Sequence, residues 1–165
     1  SEESAMGKYP VESTAVLSTI ATTIEPYRPD YHVREALKAV SGNAKISLTD
    51  LIALSVETTL GRISPAAVIV PTHSGSTARS IARYRLPVWI TAVSSSEATC
   101  QRLQFSYGVY PMYEPDHPDD WKGYAKKWLQ DHEVAGNLVV LTEGPSRKHP
   151  EANNRMEIID FERKI

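Results

Sequence analysis

At 165 residues, 41% of them hydrophobic, the chain is long enough for one domain with a core of ordinary size. Its formal net charge of −2 offers no general attraction to nucleic acid or to an anionic membrane, and no apolar run approaches the ~20 residues of a membrane span. With one cysteine (Cys100), five histidines without metal-ligand spacing and no Arg- or Lys-led signal peptide, the expectation is a soluble cytoplasmic protein without a metal site.

In chain order, residues 11–25 place Val11, Ala15, Val16, Ile20 and Ile24 on a rough helical stripe. Tyr9-Pro10 precedes it, and Pro26 and Pro29 stop it. Residues 27–45 are polar and read as a connector, with a short helical piece at Val33–Val40. Ser47-x-x-Asp50 predicts a capping box for a helix whose buried face is Leu48, Leu51, Ile52, Val56 and Leu60, ended by Gly61. Strand and helix then alternate: strand 66–70, helix 77–84, strand 88–93, helix 97–107 capped by Ser94-x-x-Glu97, strand 109–113. A Pro- and Asp-rich loop at 114–120, helix 121–131, strand 138–141, a long loop at 142–154 and a last strand at 155–161 complete the pattern. Continuous apolar strands separated by helices predict an α/β three-layer sandwich, a mainly parallel five-stranded sheet with helices on both faces. The last strand, with Met156, Ile158 and Ile159 set among Glu157 and Asp160, is expected as an antiparallel edge.

In such a sheet ligands lie beyond the carboxyl ends of the strands. The first strand ends in Pro71-Thr72-His73-Ser74-Gly75-Ser76-Thr77, a loop of small hydroxylated residues leading into a helix. Its hydroxyls, the close approach allowed by Gly75 and the positive end of the helix suit an anionic group; the plain alternative is a capped strand-to-helix turn. The long loop carries Arg147 and Lys148, with Arg155 just after it, and these cations are candidates to close over an anion. Catalytic patterns are missing: Gly-x-x-x-x-Gly-Lys-Ser/Thr, Gly-x-Gly-x-x-Gly and Gly-x-Ser-x-Gly do not occur. Trp121 and Trp128, seven apart on one helical face, read as core.

Ser1-Glu2-Glu3-Ser4-Ala5-Met6-Gly7-Lys8-Tyr9-Pro10-Val11-Glu12 resembles the Ser-Gly-Glu-Thr-Ala-x-Gly-x-Tyr-Pro-x-Glu segment at the end of the pyruvate kinase catalytic barrel. Ile69-Val70-Pro71-Thr72-x-Ser74-Gly75-x-Thr77-Ala78-Arg79, Leu138-Val139-Val140-Leu141-Thr142-x-Gly144 and Asn153-Asn154-x-Met156-Glu157 resemble motifs of that family's C-terminal domain. The resemblance implies a barrel tail with its last helix at residues 1–26 and a regulatory domain at 27–165. The intact enzyme would transfer phosphate from phosphoenolpyruvate to ADP, using Mg²⁺ and K⁺ bound mainly outside this chain. Ser1 is either the family's serine near the substrate or a remnant of cloning, and the chain alone is expected to be inactive.

The resemblance further implies an allosteric site for a phosphorylated effector. Its phosphate would lie at Thr72, His73, Ser74, Gly75, Ser76 and Thr77, covered by the loop holding Gly144, Arg147, Lys148 and Arg155. His73 and Ser76 stand where family members that bind a bisphosphate often carry cations, so the expected effector is a sugar monophosphate or AMP-like molecule. A homotetramer assembled partly through the last strand is also implied. Two readings of other classes are a stand-alone phosphometabolite-binding module and a small phosphatase. The first has no use for the barrel-tail segment, and the second lacks a nucleophile or metal set.

Overall fold

Local chemistry starts each helix of the computed structural model, which describes residues 2–27, 46–145 and 153–162. The chain divides into two compact units, Ser1–Leu37 and Lys38–Ile165. In the first, α1 (Glu2–Met6) is followed by α2 (Pro10–Ile24), with Pro10 in the opening turn, where its missing N–H leaves no bond unmade. A 3₁₀ turn at Glu25–Tyr27 ends it at Pro26, as expected. The predicted helical piece at residues 33–40 lies outside the described residues.

In the second unit, α3 (Leu48–Leu60) is capped by Ser47, whose hydroxyl oxygen accepts the Asp50 N–H at 3.1 Å. The box is not reciprocal, because the Asp50 carboxylate accepts the Ser47 hydroxyl at 2.8 Å. The buried face also differs from the expected stripe: Ala53 and Val56 are fully buried, whereas Leu48 and Leu51 are exposed. Ala53 shares a cluster with Ala78 and Ala82, and small residues there allow close helix packing that turns the two leucines outward.

Five strands follow: β1 (Ala67–Pro71), β2 (Trp89–Ser94), β3 (Val109–Tyr113), β4 (Leu138–Glu143) and β5 (Arg155–Asp160). Between them lie α4 (Ser76–Ala82), α5 (Glu97–Leu103) and α6 (Trp121–Asp131). Their order in the sheet is β3-β2-β1-β4-β5, with every pair parallel except β4–β5. This is the expected α/β sandwich with an antiparallel edge. Alternation along the strands divides the core between the faces. Val68, Val70, Ile90, Ala92 and Val140 pack with α3 and α4. Ala67, Ile69, Val93, Val139 and Leu141 pack with Trp121, Ala125, Trp128 and Leu129 of α6.

Two boundaries depart from expectation. The cap of α5 is Ser96, accepting the Thr99 N–H at 3.3 Å, while the Ser94 hydroxyl accepts the Ser96 N–H at 3.2 Å. Ser94 is still paired in β2, so the helix entry moves two residues on. Helix α5 ends at Leu103, leaving Ser106 and Tyr107 in the turn before β3. Strand β4 runs through Glu143, so Thr142 is paired backbone and not loop.

Candidate functional site

The strand order creates a switch point. From β1 the chain moves outward through β2 and β3, then returns to lay β4 on the other side of β1. The loops after β1 and β4 thus leave the carboxyl ends of neighbouring strands, the position where open α/β sheets bind ligands. These two loops carry nearly all the sequence-predicted site residues. Ser1, Arg147 and Lys148 lie outside the described residues.

The first loop is fixed by its own polar groups. The Thr72 N–H donates to the Val93 carbonyl at 2.9 Å, extending β1 by one bond toward β2. The Thr72 Oγ1 accepts the Gly75 N–H at 2.9 Å, closing the turn, and the Thr99 hydroxyl donates to the His73 carbonyl at 2.9 Å, tying it to α5. Gly75 is buried at φ 78, a left-handed conformation in which a side chain would meet Leu103 beneath it. Its N–H is thus already engaged, and its contribution is to the shape of the turn.

What remains available points outward. The Ser74 and Ser76 hydroxyls lie 3.1 Å apart, and His73, Ser74 and Ser76 are all exposed. The Ser76 N–H donates to the Ser74 Oγ at 3.4 Å, and helix geometry leaves the first-turn N–H of Thr77 without an intrahelical acceptor. A cation stands beside them that the site prediction missed: Arg79 Nη1 lies 2.9 Å from where a Cβ on Gly75 would sit. Its signal is the i+4 spacing from Gly75, which returns a helical side chain to the same face. Arg79 makes no ion pair with a described residue.

On the opposite side, Arg155 opens β5 and its Nε donates to Glu143 Oε2 at 2.5 Å; its Nη2 pairs with the same carboxylate. Glu143 is its register partner across the antiparallel pair, so the Arg155 charge is already compensated. Gly144 follows, with Asn154 Oδ1 2.8 Å from the position a Cβ would take. Thr142, also missed, is 2% exposed and its hydroxyl has no hydrogen-bond partner among the described residues. It follows Leu141, the register partner of Ile69 toward the carboxyl end of β1.

The fold defines a class, a three-layer α/β domain with a hydroxyl-rich loop at its switch point. The sequence model of "Pyruvate kinase, alpha/beta domain" matches residues 50–159. The pyruvate kinase of Thermococcus litoralis is 42% identical over 113 residues, covering 68% of this chain and 24% of that protein. That of Geobacillus stearothermophilus is 32% identical over 165 residues, covering 96% of this chain and 27% of that protein. The crystal structure of a pyruvate kinase from Cryptosporidium parvum superposes with a TM-score of 0.80 over 98% of this chain and 32% of the other, at 21% identity, a likeness of fold. The chain belongs to the pyruvate kinase family and is its C-terminal α/β domain, spanning about a quarter of the length of the relatives named here. Among the described residues no three His, Cys, Asp or Glu side chains converge to hold a metal ion. No helix among them is long and apolar enough to cross a membrane.

Proposed function

We propose that this chain is the regulatory and assembly part of a cytoplasmic pyruvate kinase and is not itself catalytic. The parent enzyme would transfer phosphate from phosphoenolpyruvate to ADP, with Mg²⁺ and K⁺ held elsewhere, and residues 1–26 would be the tail of its catalytic barrel. A phosphorylated effector sits in the crevice between the loops after β1 and β4. The observation that carries this is the switch point, where a turn braced by Thr72, Thr99 and Gly75 presents Ser74, Ser76 and Thr77 beside Arg79, which makes no ion pair with a described residue. One cation without an ion pair among the described residues, set at a cluster of hydroxyls, suits one phosphate, supporting a sugar monophosphate or AMP-like effector. Gly144, Arg147 and Lys148 would close over it from the β4 side, and Arg155 would hold that loop's exit through Glu143. Edge strand β5 leaves one side unpaired for a second copy, which supports assembly toward a homotetramer.

Calorimetric titration of a sugar monophosphate and of AMP, with sulfate as competitor, tests the reading on this chain and on the full-length enzyme. Ser74→Ala with Thr77→Val should weaken the preferred ligand by roughly tenfold or more, the scale of losing charge-assisted hydrogen bonds. Unchanged affinity in that variant would place the phosphate elsewhere.

A further inference from the structure

A second cationic feature adjoins the loop after β1 and shares Ser76 and Arg79 with it. An open groove of about 840 Å³ follows the outer flank of α4 from Ser76 to Arg85, walled by the start of α3 and the turn after α5. That volume falls within the range of small-molecule sites. Three guanidinium groups line it, those of Arg79, Arg83 and Arg85, against the single carboxylate of Asp50.

Asp50 is committed to one of them. Its carboxylate pairs with Arg83 and accepts the Ser80 hydroxyl at 3.2 Å, an arrangement that ties α3 to α4 and sets the groove wall. Arg79 and Arg85 keep no carboxylate partner among the described residues, and both are exposed. Arg85 is held just past the end of α4 at φ 51, a conformation ordinarily given to glycine. Its guanidinium lies over the Tyr107 ring, 5.9 Å from the centroid, which orients the planar cation. A charged residue thus occupies a position where glycine would be easier, and its side chain is steered into the groove.

We propose that this groove is a second anion site, taking a small molecule with two linked phosphate groups, one held by Arg79 and the other by Arg85. Hydroxyls of Ser76 and Ser106 along the groove supply neutral donors, the Ser47 proton being given to Asp50. Ser76 and Arg79 also border the loop at Thr72–Thr77, whereas Arg85 belongs to the groove alone, and the groove does not require that the loop itself bind phosphate.

Inorganic pyrophosphate is the probe, titrated into the 165-residue chain by calorimetry at low ionic strength. Binding should weaken about tenfold or more in Arg85→Gly, the loss expected for a charge-assisted phosphate contact. The melting temperature of that variant should hold or rise, because glycine relieves the positive φ. Ser74→Ala with Thr77→Val, which alters only the crevice loop, should retain pyrophosphate binding, as should Arg62→Ala, an exposed arginine outside the groove. Absence of pyrophosphate binding, indifference to Arg85→Gly, an equal loss in Arg62→Ala, or complete loss in the loop variant would each overturn the proposal. Failure of sugar monophosphate binding with pyrophosphate binding intact would remove the crevice reading alone.

Discussion

Gly75→Ala tests the bracing of the effector loop most directly. An ideal Cβ at this position stands 2.9 Å from Arg79 Nη1 and 3.0 Å from Leu103 Cδ2. The arginine tip swings aside at little cost, but Leu103 is fully buried and has nowhere to go. Holding a non-glycine residue at φ 78 costs about 1–2 kcal/mol. The Leu103 conflict adds ~1–3 kcal/mol as overpacking, giving a loss of about 2–5 kcal/mol. Urea denaturation followed by circular dichroism should show the midpoint falling by roughly 1 M or more, given slopes of ~1–3 kcal/mol per M. Gly75→Asn should recover part of the φ term, since Asn tolerates this region, but none of the contact with Leu103. A shift in Gly75→Ala below about 0.5 kcal/mol, the range of ordinary surface changes, would refute the view that Gly75 is required by the shape of the turn.

Asp50 makes stability depend on acid. The Ser47 hydroxyl foremost, then Ser80 and Arg83, hold its carboxyl below the ordinary value of 3.8 against the opposing effect of partial burial. A depressed folded pKa contributes stability above 3.8 that is lost as pH falls through the folded value. Since the side chain is 41% exposed, Asp50→Asn should cost about 1 kcal/mol or less at pH 7, and the gap from wild type should close below pH 3.8. A gap that persists at pH 2 in urea titrations would refute this. Thr91 is fully buried and its hydroxyl has no hydrogen-bond partner among the described residues, so Thr91→Val should raise stability by about 1 kcal/mol in the same assay; a loss would show a hidden partner. Thr142→Val should raise stability similarly but weaken the crevice ligand, and unaltered affinity would exclude Thr142 from the site.

Legibility followed the range of the interactions involved. The strands around Val68, Ile90 and Val140 were readable because each is a short apolar run, and Trp121–Asp131 because its tryptophans repeat at helical spacing. Ser47 was readable as a cap, since its bond to the Asp50 N–H spans three residues. Ser94 was misread because hydroxyls stand at 94, 95 and 96, and pairing of Ser94 with β3 decides which one is free to cap. Leu48 and Leu51 were misread because their stripe is as regular as the true one, and only the helix packed at Ala53 and Ala78 selects the buried face.

The order of elements, the hydroxyl loop with Gly75 and the family motifs follow from the sequence by itself, because these are contiguous patterns set by period, turn chemistry and spacing. Tertiary structure alone decides that β4 returns beside β1 and sets the carboxyl ends of the two strands side by side. It alone sets Arg79 beside Gly75, commits Arg155 to Glu143 and assembles the groove of Arg79, Arg83 and Arg85. The physical reason is that charge compensation depends on which groups meet across the fold, and a guanidinium reads the same in sequence whether a carboxylate stands beside it or not.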